Sequence, residues 1–235
     1  MSKVLNFDAA YENLSGVINS WENNYQQLSI LEAGGGSLSK INFHKPAHIT
    51  VIDISKEQLE RNDYAEHKIC GDLHTVVIPK DEYDAVVCYD VIEHLENPHL
   101  VITKLIASLK CGGIMILAAP KRDSLSGAIT AYTPHWFHVW VHRYLFKNVN
   151  AGNPGCPPFR AVFNPIIAPQ NLSSMLQGAG MQILLNCSYE SSRREHLRLH
   201  SPVFGRLYDS VIAAGNLITG KKLEESDFFI IAKKT

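Results

Sequence analysis

Nowhere in this chain do as many as about 18 apolar residues run together, the length a membrane-crossing helix needs. The opening MSKVLNFDAAYENL has charged and polar residues where a signal peptide requires its apolar segment. An excess of either charge is missing too. With 22 Lys and Arg against 23 Asp and Glu, no overall positive field exists to steer nucleic acid or an anionic membrane. Cysteine is sparse: Cys70, Cys88, Cys111, Cys156 and Cys187 are odd in number and form no CxxC pair, which argues against a zinc or dithiol site and for a reduced compartment. Internal repeats and low-complexity tracts are also lacking. These absences predict a cytoplasmic protein with no integral membrane segment, no nucleic-acid partner and no metal. The 235 residues suffice for a single α/β domain over 1–235.

What is present is a series of short apolar runs. Leu28 to Ala33, His48 to Ile52, Tyr83 to Tyr89 and Gly113 to Ala119 have the continuous apolar character of strands buried on both faces, and Lys68 to Cys70 is a weaker fifth. Between the last two strong runs, Asn97 suits a helix cap, Pro98 the first helical position and Gly112 a stop. Strand, helix, strand implies a parallel sheet. After Pro120 the texture changes to tryptophans, glycines and prolines, so 121–168 reads as an insertion or lid. Helices over Gln170 to Gln177 and within Phe204 to Ile218, with strands Met181 to Cys187 and Phe228 to Ala232, complete the pattern. The last helix reads as buried, flanked by a basic surface that includes Arg193, Arg194, Arg198 and Arg206.

The segment ILEAGGGSLS places Glu32 at a strand end and then Gly34, Gly35 and Gly36. Glycine lets a backbone reach positive φ and approach a ligand with no Cβ in the way, although a tight strand-to-helix turn needs no more than that. Asp53, before Ile54, ends the next strand, where a carboxylate can accept from both ribose hydroxyls of an adenosine; Ser55 is the better cap for the helix after it. Asp72, before Leu73, follows the weak strand and can accept from an adenine amino group. Three acids at three successive strand ends face one crevice of a parallel sheet.

In these residues the chain resembles the class I S-adenosylmethionine-dependent methyltransferases, particularly the small-molecule group. Glu32, Gly34 and Gly36 match the family's first motif, Asp53 its ribose-binding acid, and Asp72 with Leu73 its adenine-contacting pair. YDAVVCYDVIEHL and LKCGGIMILAAP match the motifs of its fourth and fifth strands. Leu38 departs from the pattern, standing where many members have a third glycine. The resemblance implies a Rossmann-like, mostly parallel sheet of seven strands in the order 3-2-1-4-5-7-6, with helices on both faces and the aromatic-rich insertion after strand 5. It implies S-adenosylmethionine as cofactor, S-adenosylhomocysteine as product and a small-molecule methyl acceptor, a hydrophobic metabolite among the options, methylated on oxygen, nitrogen or carbon.

His94 in VIEHL is the candidate general base, since imidazole titrates near neutrality; bracing the following helix is its alternative role. Tyr89 and Cys88 read as crevice lining. His135, His138 and His142 recur at i, i+3 and i+7 in TPHWFHVWVHRYLF. With no carboxylate in that run, acceptor binding by His135, Trp136 and His138 is favoured over a metal. Two other readings stay open. One is a nicotinamide-dependent oxidoreductase, because Gly34, Gly36 and Asp53 approximate a dinucleotide fingerprint, although Ser39 replaces its third glycine. The other is a non-catalytic adenosyl-binding module.

Overall fold

Continuous apolar strands demand cover on both faces, and the computed structural model provides it. It describes residues 4–144, 147–153, 156, 158–162, 164–192, 198–199 and 201–235. In chain order the elements are β1 (Leu5–Asn6), α1 (Phe7–Glu22), β2 (Leu28–Ala33), β3 (Ala47–Asp53), α2 (Lys56–Glu60), β4 (His67–Cys70) and β5 (Tyr83–Tyr89). They continue with α3 (Pro98–Ser108), β6 (Leu109–Pro120), α4 (Leu125–Tyr132), α5 (His135–Tyr144), α6 (Pro169–Gly178), β7 (Met181–Glu190), α7 (Pro202–Thr219) and β8 (Asp227–Lys234).

Among the described residues the strands form one sheet in the order β1-β7-β8-β6-β5-β2-β3-β4. Strands β2 to β6 pair in parallel, and β8 enters antiparallel between β6 and β7. From β4 to β7 this is the expected 3-2-1-4-5-7-6 arrangement. The eighth strand is the correction: Leu5 and Asn6 pair in parallel with Tyr189 and Glu190. Two residues are too few to show alternation, and Asn6 doubles as the cap of α1, its Oδ1 accepting from Ala9 N at 3.1 Å.

Alternate residues of β8 serve different cores. Phe228 and Ile230 join Leu31, Val86, Leu105 and Leu117 on the α3 and α6 side. Phe229 and Ile231 join Leu14, Ile18, Ile30 and Ile116 on the α1 side. Helix α1 supplies Ala10, Leu14, Ile18 and Trp21 at one-face spacing.

Two helix expectations need correction. Asn97 caps α3 through Leu100 N at 3.1 Å, with Pro98 at its first position, but the helix stops at Ser108, because Leu109 is already extended; Gly112, at φ 80°, bends β6 instead. Helix α7 buries only Gly205 and Ile212, so it lies across the surface rather than inside. Arg193 and Arg194, expected beside it, lie outside the described residues, as do Leu145, Phe146, Pro154 and Pro157. Residues 121–168 leave the sheet after β6 and return to it at α6. Their return arm is pinned by Val162 N donating to Glu93 O at 2.7 Å.

Candidate functional site

Strands β2, β3 and β5 run parallel, so their C-terminal ends and the turns that follow converge on one edge of the sheet. The glycine turn after β2 is held there from several directions. Glu32 is buried; its Oε1 accepts from the Ser39 hydroxyl and its Oε2 from the Tyr64 hydroxyl at 2.6 Å. Burial raises the Glu32 carboxyl above its usual range, opposed by those two hydroxyl bonds. The Tyr64 hydroxyl also lies 3.3 Å from Gly35 O, and Asn62 Nδ2 donates to Gly36 O at 2.8 Å. The glycines answer first to the protein. At Gly34, φ 75°, a Cβ would stand 2.3 Å from Val91 Cγ2, and at Gly36, φ 54°, another would stand 2.3 Å from Gln58 Oε1. At Gly35 a Cβ would meet Glu32 Oε2 at 2.9 Å.

Asp53 closes β3 with both oxygens anchored: Oδ2 accepts from Gly36 N at 3.0 Å and Oδ1 from Ser55 N at 2.7 Å. A carboxylate has about four acceptor sites, so two hydroxyl donors can still be received. Beside it Ile54 is 75% exposed, a flat apolar surface at the strand end. Ser55 caps α2 through Gln58 N, as expected. Gly71 N donates to Asp53 O at 3.0 Å and ties the next turn to this one. In that turn Asp72 Oδ1 accepts from His74 N at 2.8 Å and pairs with His74 Nδ1 at 2.7 Å, while His74 Nε2 accepts from Asn97 N at 3.2 Å. These bonds hold the Asp72 carboxyl below its usual range and leave Oδ2 for another donor. Leu73 is buried beneath, and Lys104 binds its carbonyl at 2.8 Å.

After β5 the chain turns at Asp90, φ 55°, and enters a short 3-10 turn, Ile92–His94. Cys88 is fully buried and burial pushes its thiol up, which fits lining rather than covalent chemistry. Tyr89 is pushed up to about 12 by burial, then by Asp90, and its ring lies 6.0 Å from Phe229. His94 Nδ1 donates to Arg160 O at 2.8 Å, and its ring meets Phe159 edge-on at 6.0 Å. The proton on Nδ1 leaves the lone pair on Nε2, 3.7 Å from Glu93 Oε1. Burial lowers the His94 pKa, with the Arg160 bond opposing it, so the ring is neutral at pH 7. His94 therefore braces the Phe159–Arg160 segment.

Residues 31–117 match the family model described as a methyltransferase domain, a span that holds every residue of the strand-end series from Glu32 to His94. Over that span the chain carries a methyltransferase domain of the class I S-adenosylmethionine-dependent kind. The ubiquinone biosynthesis O-methyltransferase of Maricaulis maris is 26% identical over 179 residues, covering 70% of this chain and 63% of that protein. Its namesake in Rickettsia typhi is 30% identical over 135 residues, 52% of this chain and 54% of that one. The chain thus spans just under two thirds of the first relative's length and about half of the second's. Magnesium protoporphyrin IX methyltransferase from Synechocystis, solved with S-adenosylhomocysteine bound, shares the fold at a TM-score of 0.50, with 16% identity over 100% of this chain and 90% of that one.

The strand-end residues form a donor set that suits an adenosyl group: anchored carboxylates with spare acceptor capacity at Asp53 and Asp72, and the exposed Ile54 surface between their strands. The nicotinamide reading loses its ground with the family match, and Ser39, in place of the third glycine, is spent on Glu32. Sequence patterns passed over Tyr64, Asn62 and His74, which lie outside the family motifs; only their polarity close to a strand end hinted at them. His135 and Trp136 are exposed on α5, and His138 Nε2 lies 3.0 Å from Thr133 Oγ1 at the α4–α5 junction. Among the described residues no group of three His, Cys, Asp or Glu side chains could hold a metal ion.

Proposed function

We propose that the chain transfers the methyl group of S-adenosylmethionine to a hydroxyl oxygen of a small metabolite. The observation that carries this reading is the pair of strand-end carboxylates, Asp53 and Asp72, each fixed through one set of bonds and open to another. Asp53 would hold the ribose hydroxyls, Ile54 and Leu73 the faces of the adenine, and Asp72 Oδ2 its amino group. Gly34, Gly35 and Gly36 would carry the methionine portion, with Glu32 shaping the turn from beneath and Tyr89 closing the far side. When bound, the donor supplies a methyl group already made electrophilic by its sulfonium. The chain's remaining task is to hold the acceptor in line and keep water out, which is worth roughly 7–11 kcal/mol in favourable cases.

A hydroxyl, unlike an amine, must lose its proton. His94 offers a neutral Nε2 lone pair at the edge where the strand ends meet, and this favours oxygen over nitrogen or carbon. The relatives named above are O-methyltransferases of ubiquinone biosynthesis, in keeping with a hydroxylated acceptor here. Residues 121–168 serve as the cover of the acceptor side, with Phe159 to Val162 pinned at His94 and with His138 at the α4–α5 junction. The test is a transfer assay with methyl-labelled donor against phenols, amines, activated-carbon acceptors and a metabolite extract, each product identified by mass. A methylated hydroxyl supports the proposal. Methylation of amines alone overturns the role of His94, and tight donor binding with no transfer to any acceptor favours a non-catalytic adenosyl-binding module.

A further inference from the structure

Helix α5 is arranged the wrong way round for a surface in water. Trp136, Trp140 and Tyr144 recur at i, i+4 and i+8, which places them on one face, and they are 68%, 52% and 69% exposed. No residue of the helix is buried. The flank of the helix beside Trp136 is already taken. Gly152 packs against Val139, Arg143 Nε donates to Ala151 O at 2.8 Å, and Asn148 N donates to His142 O at 2.9 Å. The aromatic face has no comparable cover among the described residues, and it forms a continuous array, with Phe137 stacked on Trp140 at 6.2 Å and Trp140 lying 5.7 Å from Tyr144.

The charge along this stretch of sequence is one-sided. From Ser124 to Tyr189 the sequence contains no Asp or Glu, while it contains Arg143, Lys147 and Arg160. The chain's near-neutral total therefore conceals a segment that carries only positive charge, and Arg143 and Lys147 stand at the C-terminal end of the aromatic stripe, both exposed. Tryptophan and tyrosine with neighbouring Lys and Arg are the side chains that settle at a lipid–water boundary, apolar ring inward and polar edge outward. Ten residues extend about 15 Å, half the roughly 30 Å of a bilayer's hydrocarbon core, so such a helix lies on the surface. Among the described residues no helix is long and apolar enough to cross a membrane.

We propose that α5 docks on the anionic surface of a phospholipid bilayer through Trp136, Trp140 and Tyr144, steered by Arg143 and Lys147. The proposal is independent of which acceptor is methylated and of whether methyl transfer occurs at all. The three tryptophans make it testable in the intact chain, because Trp21 is buried, with its indole donating to Gly112 O at 3.0 Å, and reports little from outside. Tryptophan emission is recorded with vesicles of phosphatidylcholine alone and of phosphatidylcholine with phosphatidylglycerol, unlabelled or brominated in the acyl chains. With phosphatidylglycerol present, the emission should shift to the blue, be quenched by the brominated lipid and recover in high salt. The W136S/W140S variant, with its fold checked by circular dichroism, should lose at least tenfold in vesicle binding, and R143E/K147E should lose the preference for anionic lipid. Unchanged emission overturns the proposal, as does equal binding to both lipids. A blue shift that follows protein concentration without lipid also overturns it and points to a second copy as the occupant.

Discussion

His74 belongs to no motif, yet it holds one oxygen of Asp72 with both its backbone N–H and its ring. Replacing it by Phe removes both ring bonds, the one to Asp72 and the one from Asn97 N, and keeps the backbone one. Such a bond to a carboxylate is worth about 1.5 kcal/mol, roughly tenfold in affinity. His74→Phe should therefore weaken S-adenosylhomocysteine binding about tenfold and narrow its advantage over the inosyl analogue, which lacks the amino donor. Equal losses for both ligands in calorimetry would make His74 merely structural. At His94 the sign of the pH effect follows from its lowered pKa. The neutral ring persists below pH 6.5, so transfer to a hydroxyl should hold steady through neutrality and fall only as pH drops through the lowered value. His94→Gln should cost about 10²- to 10⁴-fold in kcat and abolish that acid limb. Retention of both rate and profile would leave His94 as an anchor of the return arm alone. The acids and glycines at this edge could be read from the sequence because strand ends announce themselves; their partners could not, because Tyr64 and Asn62 meet them only through the parallel crossover, and nothing in the sequence shows that His74 folds back on Asp72 two residues earlier.

At the scale of elements, the turn after β2 is set by steric exclusion and a buried carboxylate together. Gly34→Ala combines a positive φ with a Cβ 2.3 Å from Val91 Cγ2, so it should destabilise the fold by about 1–3 kcal/mol. Val91→Ala in the same chain should restore the part due to the clash but not the part due to φ. A denaturant series on the single and double variants measures this, and an unaffected Gly34→Ala protein would contradict the turn geometry. Tyr64→Phe leaves Glu32 Oε2 without its hydroxyl donor, at a cost of about 1–3 kcal/mol, read in the same series. Strands β2, β5 and β8 were legible because burial on both faces writes an unbroken apolar run. The start of β6 was not, since Leu105, Ile106 and Leu109 read as one helical face and nothing local shows that Leu109 turns extended. Helix α7 misled for the opposite reason: its apolar residues look like core, and most of them are exposed.

For the whole molecule, the sheet order from β4 to β7 followed from the motif series, while β1 came from a two-residue edge pairing that no periodicity marks. Fold alone does not decide chemistry. The proposed donor site rests most heavily on Asp53, the carboxylate that ends β3. The most direct measurement is calorimetric titration of S-adenosylhomocysteine into the intact chain and into Asp53→Ala, with circular dichroism confirming that both are folded. The chain should bind with one site, and the variant should lose about 1.5–3 kcal/mol or more, at least tenfold in Kd. Equal affinity of the two proteins, or no binding to the unaltered chain, would contradict it.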